Sequence, residues 1–189
     1  MGDLNIAAHI TNIGTGNSYA IWNAFSYLCG GDPSLEIITD NTNSFEEYEV
    51  TLNGSNLVIN TGNIEEYKVC IVSEDDSLIS VINTTSSLCS FPIPTRNSYI
   101  VLNKHNYVPC IIYVNVEDSF IQNKVFGEKG VDYYYMKNST ISAGCDVTTS
   151  VPYGNVKVEN GCKLNIRNRK SVLIKNRFEC KLGGELQIK

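Results

Sequence analysis

The stretch EYEVTLNGSNLVINTGNIEEYKVCIVSEDDSLISVINT, residues 47–84, carries the reading of the fold. Its apolar residues recur at a period of two: Tyr48, Val50 and Leu52, then Leu57 to Ile59, then Tyr67, Val69 and Ile71, then Ile79 to Ile82. A strand turns successive side chains to opposite faces, so this alternation buries one face of each run and leaves the other wet. Asn53-Gly54, Thr61-Gly62 and Asp75-Asp76 break the runs with residues that favour tight turns. Tyr99 to Leu102 and Cys110 to Val116 extend the pattern beyond a break at Pro92 to Asn97. Short strands spaced by turn signals in this way predict a β-sandwich.

We read residues 45–118 as an immunoglobulin-like domain of this kind. Upstream, residues 17–28 predict a helix, with Asn17 or Ser18 as N-cap, an apolar face from Ile21, Ala24, Phe25 and Leu28, and a stop at Gly30-Gly31 and Pro33. Leu4 to Ile10 is a weaker helical stretch. Tyr19 and Trp22, with Phe25, offer more apolar surface than one short helix hides, so these three are candidate contacts to another domain. Residues 1–40 are accordingly set apart from the sandwich.

Downstream, residues 119–140 read as a linker with Gly127, Gly130 and the run Tyr133, Tyr134 and Tyr135. Tyrosines are flat and amphipathic, so this run is a candidate glycan contact, with packing between domains as the alternative. Residues 141–189 have their own rhythm. Val156 to Val158, Cys162 to Ile166, Val172 to Ile174, Phe178 to Leu182 and Leu186 to Ile188 are short strands at close intervals, and Asn160-Gly161 is a strong hairpin signal. The expectation is a small stacked β-hairpin or β-solenoid-like module. The predicted fold class is therefore mainly β, with a sandwich, the stacked module and a short N-terminal helical segment.

The chain has 189 residues and a formal charge of −5. Residues 154–189 hold nine of the 15 Lys and Arg against Glu159, Glu179 and Glu185, a net +6 that leaves −11 for the rest. Lys163, Arg167, Arg169, Lys170, Lys175 and Arg177 alternate with apolar residues as exposed strand positions do, which predicts a solvated basic face; a polyanion contact is the alternative. No run of 18 apolar residues is present, and the residues after Met1 lack the basic and apolar regions of a secretory leader, so an export signal is expected outside this chain.

Seven cysteines, Cys29, Cys70, Cys89, Cys110, Cys145, Cys162 and Cys180, sit singly with no CxxC pair, which is no zinc signature. Most lie in apolar strand patterns and read as buried thiols, with Cys162 and Cys180 as the pair to check for a disulfide. The two histidines, His9 and His105, are not set beside a nucleophile: His105 lies in a turn, and Cys29 follows a helix C-terminus, where the dipole raises a thiol pKa. Glu74-Asp75-Asp76 lacks the spacing of a calcium loop, and no phosphate-binding glycine pattern follows a strand.

Three blocks resemble a known family. Ile21-Trp22 to Leu28-Cys29-Gly30-Gly31-Asp32-Pro33-Ser34-Leu35 is similar to the end of a gingipain-type catalytic domain. Tyr99-Ile100-Val101-Leu102 to Asn106-Tyr107-Val108-Pro109 is similar to the last strands of the immunoglobulin-like domain that follows it. Gly161-Cys162-Lys163-Leu164, Val172-Leu173-Ile174, Phe178-Glu179-Cys180 and Leu182-Gly183-Gly184-Glu185-Leu186 resemble the C-terminal stacked-β module of secreted Bacteroidetes proteins. The tail departs from that pattern at Cys162, Cys180 and Asn176-Arg177. The catalytic Cys and His of such peptidases lie upstream of these blocks. The resemblance implies a non-catalytic accessory region of a secreted or cell-surface cysteine peptidase, with no cofactor, metal or catalytic residue of its own. Its expected partners are the missing catalytic domain or another protein surface, with surface polysaccharide for an adhesin or glycan-binding module as the alternative. Nucleic acid and a transmembrane segment are not expected.

Overall fold

Alternating burial along the quoted stretch builds the first sheet. A computed structural model of the chain describes residues 43–189, except 46, 76, 77, 138 and 169. The helical expectations, with Tyr19, Trp22, Phe25, His9 and Cys29, lie outside these residues. The described residues belong to one unit, Asp40–Lys189, and are mainly β with no helix.

β1 (Glu49–Asn53), β2 (Asn56–Asn60) and β5 (Leu88–Pro92) form a three-stranded antiparallel sheet, with Gly54 at φ 61 in the turn between the first two. Facing it is a sheet whose antiparallel half is β4 (Leu78–Thr84), β3 (Tyr67–Ser73), β6 (Ser98–Asn103) and β7 (Cys110–Asn115), in that order. Val50, Leu57, Ile59 and Phe91 from the first sheet pack on Val69, Ile71, Ile100, Leu102, Ile112 and Val114 from the second in one buried cluster. Each sheet hides its apolar face on the other, the usual solution for amphipathic sheets. Asn97 ties the second sheet together. Its Oδ1 accepts from the Val116 and Glu117 amides at 3.0 and 3.3 Å, and its Nδ2 donates to Glu74 at 3.3 Å.

From β7 onward the pairing changes from antiparallel to parallel. β8 (Phe120–Ile121), β9 (Lys124–Phe126), β10 (Val131–Lys137), β11 (Ile141–Ala143), β12 (Val156–Val158), β13 (Lys163–Asn168), β14 (Val172–Ile174), β15 (Phe178–Cys180) and β16 (Glu185–Ile188) follow. They fall into three parallel ladders, β7-β10-β13-β16, β8-β11-β14 and β9-β12-β15, which the chain visits in rotation. A strand that returns to its own ladder after visiting the other two closes one coil. Inside the coils Ile121, Phe126, Tyr135, Ile141, Val156, Val158, Leu164 and Ile166 form a second buried cluster.

One sheet therefore runs from β4 to β16 through seven strands. Its β10 is buried on both faces: Tyr134 and Met136 enter the sandwich core, while Tyr135 enters the coil interior. On the sandwich side of the parallel half, Asp132, Lys163 and Glu185 stand in one row, with Lys163 at 3.9 Å from Asp132 and 3.7 Å from Glu185.

Four expectations are corrected by this arrangement. The stretch 119–140 is not a linker, because it holds β8, β9 and β10. No boundary separates 45–118 from 141–189 in the pairing, since β7 hydrogen-bonds directly to β10. Among the described residues the tail contains no hairpins: every strand pair from β7 to β16 is parallel, and Asn160-Gly161, with only Gly161 at positive φ, turns the chain from one ladder to the next. Arg167 is not a solvated position but only 7 % exposed, because β13 lies inside the sheet rather than at its rim. Arg169 falls outside the described residues, whereas Lys170, Lys175 and Arg177 are exposed as expected.

Candidate functional site

Coil length singles out one corner. Val131 stands opposite Ile111 and Glu185 opposite Lys163, returns of 20 and 22 residues, but Lys163 stands opposite Asp132 after 31. The excess lies between β11 and β12, in residues 144–155. At the same corner the neighbouring coils spend only residues 122–123 and 175–177. In stacked coils such insertions leave the core undisturbed and project from one face, where binding surfaces concentrate.

A single buried side chain organises the insertion. Gln122 Nε2 donates to the carbonyls of Thr148, Val151 and Pro152 at 3.0, 2.8 and 3.2 Å. Its Oε1 accepts from the Val147 and Thr148 amides at 2.7 and 3.2 Å. The insertion's first residues are held between coils, since the Gly144 amide donates to Ile121 O at 3.0 Å and the Cys145 amide to Asn176 O at 3.0 Å. Gly144 is obligatory here: at φ 151 an added Cβ would stand 2.9 Å from the Lys175 Cβ. At the far end, Asn123 and Lys124 amides donate to Gly154 and Asn155 carbonyls at 3.2 and 3.1 Å.

The loop borders an open, shallow hollow of about 490 Å³ lined by Gln122, Asp146, Thr148, Ser150, Val151 and Tyr153. Asp146 is also a wall of a second hollow, of about 450 Å³, with Cys145, Lys175 and Asn176. Tyr153 is 60 % exposed, and the Arg177 guanidinium lies 5.7 Å from its ring centroid. Its hydroxyl is pushed up in pKa, first by a hydrogen bond with Cys145. Arg177 holds a left-handed backbone at φ 61 to take its place. Hydroxyls, one carboxylate, a cation and an amphipathic ring at one shallow surface can hydrogen-bond a polyol while the ring covers its apolar side.

The tyrosine run that the sequence offered as a glycan contact is elsewhere and mostly covered. Tyr134 and Tyr135 are 3 % and 1 % exposed. Tyr133 is half-buried on Phe126, with centroids 5.0 Å apart. Lys124 closes this interior from above, its Nζ 5.4 to 5.7 Å from the rings of Tyr113, Phe126 and Tyr135. A sugar platform needs an open ring face, which Tyr134 and Tyr135 lack. Tyr153 was missed because it follows Pro152 in a Thr/Ser-rich stretch with no period; the legible signal was the length of the return from Asp132 to Lys163.

Cys89, Cys145 and Cys162 are buried, Cys70 and Cys110 are partly buried, and Cys180 is exposed. All six described cysteines are free. Burial raises the pKa of Cys70, Cys89 and Cys162, and pushes Cys110 up to about 11, which the neighbouring Tyr48 offsets only in part. Tyr48 in turn donates to Asp132, and burial drives its own pKa far up. No group of three His, Cys, Asp or Glu among the described residues is placed to hold a metal. No helix among them is long and apolar enough to cross a membrane.

No family model, curated protein or solved structure matches the chain.

Proposed function

We propose that residues 43–189 are a non-catalytic accessory region of a secreted or cell-surface gingipain-like cysteine peptidase, an immunoglobulin-like sandwich continued by a β-solenoid that braces the catalytic domain and serves display or export. The observation that carries this reading is the order along one sheet. Antiparallel sandwich strands run straight into parallel coils, in the order in which the resembled peptidases carry a sandwich and then a stacked-β tail. A sheet continuous through both parts transmits load as one body and suits a stalk. The raised thiols support a non-catalytic role, because a cysteine nucleophile needs the opposite shift.

The test is peptide mapping of the native protein from its source cells, with surface, medium and cytoplasmic fractions kept apart. Peptides continuous with this chain from an upstream region bearing the catalytic Cys and His, in surface or medium fractions, are the expected result. A protein confined to the cytoplasm, without such a region, overturns the reading.

A second reading, a glycan-binding module, is favoured by the insertion at 144–155. It expects retention on a glycan array that Tyr153→Ala abolishes while the thermal midpoint holds. Retention unchanged by that substitution, or none, removes it.

A further inference from the structure

The seven-stranded sheet presents a second face. Its antiparallel half packs on the three-stranded sheet and its parallel half is lined by the coils, but the outer side of β4, β3 and β6 is covered by no other element of the described residues. Val81, Cys70 and Val101 cross it in one register row, and beside them Val72 and Tyr99 form a second, which ends at a β-bulge in β4 where Ile79 is the extra residue. Ile79 and Val81 are each 49 % exposed, and β4, Leu78 to Thr84, is an edge strand without a single charge. A native edge is ordinarily blunted by lysine, proline or inward charge, and an apolar sheet face of this kind marks an interaction surface.

Charge sets the occupant. On the same face β3 begins at Lys68 and is followed at its far end by Glu74, with only Cys70 and Val72 between them. Both are exposed, and neither makes an ion pair among the described residues. Glu74 is held by neutral donors, the Asn97 amide at 3.3 Å and the Tyr113 hydroxyl at 3.2 Å, which fix its position without cancelling its charge. A cation and an anion at equal distances from the middle of an apolar face complement the same face turned through a half rotation. That is the property a two-fold interface requires.

We propose that this face binds a second copy of the chain across a two-fold axis lying in the interface and crossing β3 at Ile71. In that register Cys70 faces the second copy's Val72, Val101 faces its Tyr99, and Val81 lies against the bulge that carries its Ile79. Lys68 meets the second copy's Glu74 at both ends. The inference does not depend on the accessory reading. Three strands about 20 Å long and together about 15 Å wide make a small interface. The dimer is therefore weak and reversible, dissociating at about 10–100 μM.

Sedimentation equilibrium of the full chain tests this. The wild type is expected to dimerise in that range, and Val81→Lys to weaken the dimer at least about tenfold with an unchanged thermal midpoint, since the side chain is already half in water. Lys68→Glu is expected to weaken it about fivefold, and adding Glu74→Lys to restore it to within about threefold. Should Glu74→Lys fail to fold, a short bismaleimide on the Cys180→Ser protein provides an independent reading. It is expected to join two chains through Cys70, identified by mass mapping of the linked peptide. A chain monomeric up to about 1 mM, a dimer indifferent to Val81→Lys, or crosslinks that exclude Cys70 would each overturn the proposal.

Discussion

Gln122 does the work of a small domain of contacts. Its two Nε2 hydrogens are shared among three carbonyls while its Oε1 accepts from two amides at the same point. Gln122→Ala leaves those backbone groups short of partners and is expected to lower stability by about 2–3 kcal/mol in urea titration. Gln122→Glu is expected to cost more at pH 7, because an ionised carboxylate accepts only and would face three carbonyl oxygens. A buried carboxyl has a raised folded pKa, so that loss is recovered as the pH falls below the folded value and protonation restores a donor. Equal stability of the two variants at every pH would contradict this account. Cys110 has the same sign at the alkaline end. Its folded pKa, about 11, lies above the unfolded value. The native state thus holds its proton longer, and the stabilisation present below about pH 8.5 is lost as the pH rises toward 11, by about 2–3 kcal/mol in all. Urea midpoints for wild type and Cys110→Ser between pH 7 and 10.5 are expected to diverge in slope, the wild type falling more steeply.

At the scale of elements, the strands were far more legible than their partners. The runs at 48–52, 57–59, 67–71, 79–82, 99–102 and 110–116 fall on β1, β2, β3, β4, β6 and β7, because alternation and turn chemistry are local signals. β5 escaped notice since Cys89 and Phe91 are its only buried residues in a serine-rich stretch. β10 escaped for a deeper reason. Tyr134 and Met136 face one core while Tyr133 and Tyr135 face another, and a strand buried on both sides loses the alternation that announces it. Parallel pairing was illegible altogether, because returns of 20 to 31 residues leave no trace in a turn dipeptide. The corners test the coil geometry. An added Cβ at Gly184 would stand 2.8 Å from Glu159 O and 3.0 Å from Val158 O, both backbone atoms that cannot yield without opening the stack. Gly184→Ala is therefore expected to destabilise by about 2 kcal/mol or more. Gly54→Ala, with no atom within 4 Å, is expected to cost about 1 kcal/mol, from its positive φ alone. Thermal unfolding of the two side by side measures the difference.

For the molecule as a whole, the shared sheet means that neither core can be lost alone. Tyr134 and Tyr135 are neighbours on one strand yet belong to different cores, so melting the coils exposes the sandwich at β7 and β10. Thiol labelling against urea is expected to show Cys89 in the sandwich and Cys162 in the coils becoming reactive at one midpoint, with Cys180 reactive throughout because it is exposed. Two separated midpoints would mean that the sheet is not a mechanical unit. The same continuity explains why the sequence reads as two domains and a linker. The glycines and turn residues after Asp118 read as a linker, but the sheet runs on without a break from β7 to β10.

The row Asp132, Lys163, Glu185 also sets a rule for how the protein could lengthen over generations. Duplicating one coil, residues 163–184, would place two lysines side by side in that row. Duplicating the pair of coils from 132 to 184 would instead continue the alternation of sign, add about 10 Å of height, and leave both ends of the molecule as they are. Relatives of this chain should therefore differ in length by even numbers of coils, a quantised variation written in the charge of a single column.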